Sequence, residues 1–185
     1  MNNRRTLFIM GVVFATLAII TVLQNQQISQ VVLTPTAIAT GTFQRVFPEM
    51  AVLDIQAIRL EAPQAGLDFT ITRAEDGTWI APESIQTLDE EVATALARTM
   101  VLLPYEQSMP LTEGLDLATY GFLPSPRLFI EMLLSNGDTH FVAVGSPTPS
   151  QAAFYALVDE RDTIYLLEPH AIAFLVTMLE SPPLT

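Results

Sequence analysis

Hydrophobic and polar residues follow three patterns along this 185-residue chain. Residues 7–23 are almost entirely apolar and carry no charged residue. From about residue 55 onward, short segments alternate apolar and polar positions, as at Leu67, Phe69 and Ile71, which predicts strands with one buried face. Between residues 87 and 104 the apolar residues recur every three or four positions, which predicts an amphipathic helix. Together the patterns indicate an apolar N-terminal segment followed by an α+β domain.

The N-terminal apolar segment has the properties of a transmembrane anchor. Residues 7–23 carry no charge, and about 17–25 apolar residues suffice to cross a bilayer as a helix. Arg4 and Arg5 precede the segment and no acid does, so the positive-inside rule predicts a cytoplasmic N-terminus. The rest of the chain would then be extracytoplasmic, in a protein that passes once through the inner or plasma membrane.

The bilayer is therefore one expected partner, contacted through this helix. A cleaved signal peptide is the alternative interpretation, because Ala37 and Ala39 have the small-residue spacing of a cleavage site. The polar residues between the apolar segment and Ala37 favour an uncleaved anchor. The side chains that we expect to form the anchor are Leu7, Phe8, Ile9, Gly11, Val12, Phe14, Ala15, Leu17, Ile19, Ile20, Val22 and Leu23.

Composition sets the expected domain boundaries. Residues 24–47 are rich in glutamine, threonine and small residues and show no amphipathic period. Such a segment buries too little apolar surface to fold alone, so it is predicted to be a tether. The predicted organisation is an anchor with a short cytoplasmic stub at 1–23, a tether at 24–47 and an extracytoplasmic α+β domain at 48–185.

Turn signals divide the strand-like segments of this domain into hairpins. Asp76-Gly77 predicts one tight turn, and Asn136-Gly137 predicts another of the primed type, which both dipeptides favour. Residues 159–162, of sequence DERD, would close a further hairpin. Because nearly all the connections are short, the sheet is predicted to be mostly antiparallel.

Two helices complete the predicted domain and are expected to pack on one face of the sheet. Thr87 and Glu90 fit a capping box at the start of the first helix, and Pro104 ends it. Pro169 is predicted as the first residue of the second helix. The order is thus hairpin and helix, then two hairpins and a helix. The expected buried stripe of the first helix comprises Leu88, Val92, Leu96, Met100 and Leu103.

Charge narrows the classes of partner. The eight basic residues are all arginine, and there are 20 acids. Arg4 and Arg5 lie before the anchor, whereas every acid lies at or after Glu49, which leaves six arginines against 20 acids in the external part, a formal charge of −14. This balance argues against nucleic acid and anionic lipid headgroups, which need basic patches. It suits a basic protein partner, or it serves solubility alone.

Few residues have the spacing that a catalytic or metal site needs. The chain has no cysteine, which excludes disulfides and thiolate ligands. His140 and His170 each lack a second histidine three or four residues away, so there is no zinc motif. Residues 89–91 are acids that suit a helix start, and residues 159–162 lack the ligand spacing of a known calcium loop. We predict no catalytic residue, no metal site and no cofactor.

One segment has the composition of an exposed recognition loop. Residues 145–154 contain two prolines and several small polar residues between two strand-like segments. Loops held by a rigid scaffold often carry binding residues. The candidate partner-binding residues in this loop are Ser146, Pro147, Pro149 and Gln151.

Several of these motifs occur together in a known family. In order they are an isoleucine in the opening strand, a DG-x-W hairpin, a YG break with following prolines, a further glycine turn, a glycine after the next strand and a late tyrosine strand. The matching residues are Ile55, Asp76, Gly77, Trp79, Tyr120, Gly121, Pro124 or Pro126, Gly137, Gly145 and Tyr165. Over about residues 47–175 the chain resembles bacterial proteins of the "domain of unknown function 4340" family. The usual leucine after the YG pair is Phe122 here.

The resemblance implies an accessory protein more than an enzyme. Members of the family are commonly anchored by one N-terminal helix, and some resemble neighbours of gliding-type ABC transport systems. We therefore expect a non-enzymatic accessory or scaffold subunit whose acidic domain packs on a membrane-embedded protein complex, either an ABC-type transporter or an energy-transducing assembly. The alternative is an anchored cell-surface domain that binds or hydrolyses a ligand.

Overall fold

The computed structural model describes residues 44–184. Strands and helices make up more than half of this region, and longer irregular segments lie at residues 81–89 and 111–127. The nine strands are β1 (Gln44–Arg45), β2 (Ile55–Ala62), β3 (Leu67–Arg73), β4 (Trp79–Ile80), β5 (Pro104–Pro110), β6 (Leu128–Leu134), β7 (Thr139–Pro147), β8 (Phe154–Val158) and β9 (Thr163–Leu167). The helices are α1 (Glu90–Leu102) and α2 (Pro169–Glu180), with a short 3-10 helix at Val52–Asp54.

All nine strands belong to one sheet in the order β1-β5-β9-β8-β7-β6-β2-β3-β4. Every neighbouring pair is antiparallel. The described residues thus form an α+β fold with an antiparallel sheet, as predicted. The hairpins closed by Asp76-Gly77, by Asn136-Gly137 and by residues 159–162 are also confirmed.

One side of the sheet, called here the inner face, carries the main core. Alternation along the strands places Ile58, Ile130 and Val142 on this side, and all three are fully buried. The buried side chains of α1 and α2, such as Leu96 and Leu175, belong to the same hydrophobic cluster. The inner face is therefore covered by the two helices, and its apolar positions are accounted for by folding.

The opposite side, called here the outer face, is covered only in part. Residues 111–127 form a long loop between β5 and β6. Part of this loop lies on β7, where the Ser146 amide donates to the Tyr120 carbonyl at 2.8 Å. Phe122 is buried there, outside the main cluster. Gly145 permits this close approach, because a Cβ at that position would overlap the Tyr120 carbonyl oxygen.

Two strands were not predicted. β5 has mostly exposed residues and a proline at each end, so it lacks the alternation that marks a half-buried strand. β1 has only two residues, paired with Tyr105 and Pro104 of β5. Val46 and Phe47 follow it and are buried. Residues 44–47 therefore belong to the folded domain and not to the predicted tether.

The N-cap of α1 differs from the predicted one. The N-cap is Asp89 and not Thr87. The Asp89 carboxylate accepts from the Glu91 and Val92 amides. Asp89 can do this because an Asp side chain caps as well as a Thr. The predicted capping-box residue Glu90 instead accepts from the Trp79 amide at 2.9 Å.

The turn at Asn136-Gly137 is not primed. A primed type I turn needs positive φ at both residues, but only Gly137 has it, at 91°. The Gly137 amide donates to the Leu134 carbonyl at 2.9 Å. The loop is therefore a type I turn closed by a left-handed glycine, the next most common hairpin connection.

The predicted anchor, its arginines Arg4 and Arg5 and most of the tether lie outside residues 44–184. Within the described part of the chain, no helix is both long and apolar enough to cross a membrane.

Candidate functional site

The predicted recognition loop is shorter than expected. Ser146 and Pro147 lie in β7, because the strand continues to Pro147. The remaining loop spans residues 148–153, with Pro149 and Gln151 exposed. The alternating pattern does not reveal this extension, since the strand ends in a Gly-Ser-Pro sequence typical of a loop.

Thr148 organises what remains of this loop. It is buried, its amide donates to the Ala153 carbonyl at 2.8 Å and its carbonyl accepts from the Gln151 amide at 2.8 Å. The Thr148 hydroxyl also accepts from the Ala153 amide at 3.3 Å. Gln151 has a φ of 58°. The loop is therefore a compact, internally bonded turn that displays only its tip.

A second polar feature is the cluster His140, Asp159 and Arg161. The strands β7, β8 and β9 bring these residues together: His140 Nδ1 lies 3.0 Å from Asp159 Oδ2, and the other carboxylate oxygen accepts from the Phe141 amide at 2.8 Å. Arg161 Nη2 lies 3.6 Å from the same carboxylate. Each member is about a quarter to a third exposed.

Arg161 connects this cluster to the beginning of the domain. Its Nη1 donates to the Val46 carbonyl at 3.0 Å and to the Tyr165 hydroxyl at 3.2 Å. The guanidinium also lies 5.4 Å from the centre of the Phe47 ring, and this ring packs against His140 at 5.0 Å. Within the loop at residues 159–162, Arg161 thus holds the N-terminal residues of the domain onto the sheet.

A cleft of about 470 Å³ opens beside this cluster. Its apolar floor includes Phe47, Met50 and Leu134, and its polar lining includes His140 and Arg161. The His140 ring bonds through Nδ1, and its Nε2 has no hydrogen bond to any described residue. The cleft therefore offers a small mixed surface that includes the His140 side chain. Among residues 44–184 no group of three or more His, Asp or Glu side chains is placed to hold a metal ion.

The uncovered part of the outer face carries exposed apolar side chains on two paired strands, β6 and β7. Phe141 is 40% exposed and Leu133 is 39% exposed. Phe129 stacks on Phe141, with ring centres 5.8 Å apart and planes 28° apart. Leu133 pairs with Thr139, two residues before Phe141, so it is a diagonal neighbour within reach of the ring. We call Phe129, Leu133 and Phe141 the outer aromatic strip.

Carboxylates surround this strip. An open hollow of about 520 Å³ is lined by Phe141 together with Asp138, Asp159 and Glu160. Glu131 is the direct cross-strand partner of Phe141. Alternation along β7 places His140 and Phe141 on opposite sides of the sheet, but nothing in the sequence indicates that the side of Phe141 stays uncovered.

Two carboxyl groups have altered pKa values: Asp76 stabilises a turn, and Glu168 stabilises the start of a helix. Hydrogen bonds from the Thr78 side chain and amide hold the pKa of Asp76 below its ordinary value. Burial acts to raise the pKa of Glu168, but hydrogen bonds from His170 and from the Ala171 amide outweigh it and hold that pKa below its ordinary value. Glu168 is the N-cap of α2, so this carboxylate belongs to the scaffold.

The residues behind the family resemblance also have scaffold positions. Tyr120, Gly121 and Gly145 meet where the 111–127 loop lies on β7, since a Cβ at Gly121 would overlap Ser146 and one at Gly145 would overlap Tyr120. Trp79 is buried and has Arg73 over its ring at 4.2 Å. None of these positions lies in the cleft or on the outer aromatic strip.

Comparisons of the chain with protein-family models, with curated proteins and with solved structures each give no match.

Proposed function

We propose that this protein is a non-enzymatic accessory subunit, anchored by one N-terminal helix, whose acidic domain packs on a membrane-embedded protein complex. The observation that carries the proposal is the outer aromatic strip. Single exposed apolar residues are ordinary on a protein surface, but Phe141 and Leu133 are neighbours on two regular strands, and Phe129 stacks beside them. A contiguous apolar patch rimmed by polar groups is typical of a protein interface.

The polar groups of the domain fit the same proposal. His140, Asp159 and Arg161 are engaged with one another and with the N-terminal residues of the domain. His170 pairs with the cap residue Glu168. Each histidine thus pairs with a neighbouring carboxylate. The resemblance to anchored proteins near ABC-type systems suggests a transporter or an energy-transducing assembly as the complex.

Purification from native membranes tests this function. The full chain carries a C-terminal tag, the membranes are dissolved in mild detergent, and the co-purifying proteins are identified and quantified. We expect integral membrane proteins at a fixed stoichiometry. Recovery of the protein alone, after gentle extraction and chemical stabilisation of complexes, would contradict an accessory role.

A second candidate function rests on the cleft. A volume of about 470 Å³ with an apolar floor and the His140 and Arg161 side chains is within the range of small-ligand pockets. It favours an anchored domain that binds or hydrolyses a ligand at the cell surface. A thermal-shift screen of the purified chain with sugars, peptides and divalent ions tests this candidate. A ligand that raises the melting temperature, and no longer does so in the His140→Ala variant, would support it.

A further inference from the structure

We propose that the outer aromatic strip and its rim of carboxylates bind a positively charged protein segment of the partner, with aliphatic or arginine side chains packed on Phe141. This inference rests on the proposed function and adds the chemistry of the partner. The strip consists of Phe129, Leu133 and Phe141, as defined above.

The apolar side chains at the centre of the strip are only partly buried by the fold, so they are available to contact a partner. Phe141 and Leu133 remain 40% and 39% exposed, whereas Val142 and Met132, the next residues toward the inner face, are fully buried. The two phenyl rings lie 5.8 Å apart with their planes 28° apart, and part of the Phe141 aromatic surface is exposed. Arginine guanidinium groups bind such surfaces well, because the negative face of the ring attracts a cation that is itself planar.

The carboxylates around the strip favour a partner with positive charge. Glu131 is directly opposite Phe141 and has no ion pair among the described residues. Glu160 lines the same hollow as Phe141 and is exposed. Asp138 lines it as well, with one oxygen accepting from the Asn136 amide group at 2.7 Å. Two unpaired carboxylates and one partly used carboxylate thus border the strip.

One arginine lies on the same face but does not neutralise this rim. Arg59 pairs with Glu131 in the strand register, yet its guanidinium lies 3.2 Å from Glu61 and 3.7 Å from Asp68. The local field therefore stays negative, in keeping with the six arginines and 20 acids of the external part.

The same charges disfavour other occupants of the strip. Anionic lipid headgroups would be repelled by the carboxylates. A second copy of this chain would bring an equally acidic surface against the first, and like charges across an interface lower affinity. A basic protein segment meets both the apolar centre and the acidic rim.

The first test is site-specific photo-crosslinking in intact cells. A benzophenone amino acid replaces Phe141 in the full chain, and a matched control places it at Ile80, which is 44% exposed on the edge strand β4. The crosslinked segment is identified by mass spectrometry. We expect crosslinks from position 141, at least about fivefold more than from position 80, to a segment with more Lys and Arg than Asp and Glu.

Charge reversal provides the second test. The Glu131→Lys/Glu160→Lys variant should capture about tenfold less of the membrane complex, because lysines would face a basic segment. The Glu75→Lys/Glu113→Lys control makes the same change in net charge at two exposed acids elsewhere and should capture as much complex as the unaltered chain. Equal melting temperatures for the two variants show that both are folded.

The outcomes separate this inference from the proposed function. A membrane complex that crosslinks equally from position 80, or through an acidic or neutral segment, or that is lost equally in both charge variants, would overturn the inference and leave the accessory role standing. Crosslinks to lipid or to a second copy of the chain would also overturn it. Absence of any membrane complex would contradict the proposed function itself.

Discussion

The two faces of the sheet are built from the same alternating strands but have different coverings. On the inner face Ile130 is fully buried, in the same hydrophobic cluster as the buried side chains of the two helices. On the outer face the neighbouring residues of the same strand, Phe129 and Leu133, are half-buried and exposed. Residues 111–127 cover the outer face at the C-terminal end of β7, through Tyr120 and Phe122, and leave the strip open.

This difference shows which apolar residues folding explains. Burial of an apolar inner-face side chain contributes to stability, and this alone explains why the position is apolar. An exposed aromatic ring on a regular strand contributes little to folding and adds a risk of association. The open part of the outer face is therefore where a binding function is to be sought.

The largest contrast is expected between two leucine-sized residues of β6. Ile130→Ala should lower the free energy of unfolding by roughly 2–5 kcal/mol, because it leaves a cavity in a fully buried position. Leu133→Ala, 39% exposed, should cost less than about 1 kcal/mol. Urea denaturation of the full chain in mild detergent measures both. Similar losses for the two variants would show that the outer face is as closed as the inner one.

The covered part of the outer face should respond to a single methyl group. Gly145→Ala places a Cβ against the Tyr120 carbonyl and the Phe122 ring, so we expect a loss of about 1–3 kcal/mol from overpacking. Gly66→Ala is the control, since its Cβ would meet nothing within 4 Å although φ is +64°. Its left-handed backbone should cost about 1 kcal/mol. Urea denaturation compares the two, and a smaller effect at Gly145 would contradict the close contact.

Arg161 should hold the first residues of the domain. Arg161→Ala removes the hydrogen bond to the Val46 carbonyl, and since the side chain is about a third exposed we expect a loss of only about 1–2 kcal/mol. Hydrogen exchange should show the effect at the Val46 amide, which donates to the Leu103 carbonyl at 3.0 Å. Arg98→Ala, exposed on α1, should leave that amide protected. Unchanged exchange at Val46 in Arg161→Ala would rule out this role.

The smallest effect is expected at the cap of α2, the helix that covers part of the inner face. Because the folded-state pKa of Glu168 is lowered, its stabilisation is present above the ordinary carboxyl pKa and is lost as pH falls through the folded value. Glu168→Gln should lower the free energy of unfolding by about 0.3–1 kcal/mol at neutral pH. The difference should vanish once Glu168 is protonated in both the folded and the unfolded state. Unfolding free energies from pH 7 to pH 3 measure this, and a difference that grows at low pH would reverse the sign.

The sequence predicted the parts of the fold that repeat a simple period. Alternation identified β2, β3 and β6, and the stripe through Leu96 and Met100 identified α1. β5 could not be predicted, because its residues face solvent and leave no period. The choice of Asp89 over Thr87 as the cap could not be predicted from the local sequence. The Asp89 amide donates to the Pro183 carbonyl at 2.9 Å, a contact between distant parts of the chain.

The candidate surface was less predictable than the fold for a physical reason. Alternation shows that Phe129, Leu133 and Phe141 share one side of the sheet. Whether that side is covered depends on where residues 111–127 lie, and this follows from the close approach at Gly145 and Tyr120, which no local pattern records. The same limit applies to His140, whose partner Asp159 is 19 positions away.

The central claim is that the open part of the outer face binds the partner. Its most direct test is capture of the membrane complex by the Leu133→Ser/Phe141→Ser variant, beside an Ile80→Ser/Leu102→Ser control that alters two residues of similar exposure away from the strip. We predict a loss of about tenfold or more for the first variant, with unfolding free energies within about 1 kcal/mol of each other. Full capture by the Leu133→Ser/Phe141→Ser variant would contradict the account.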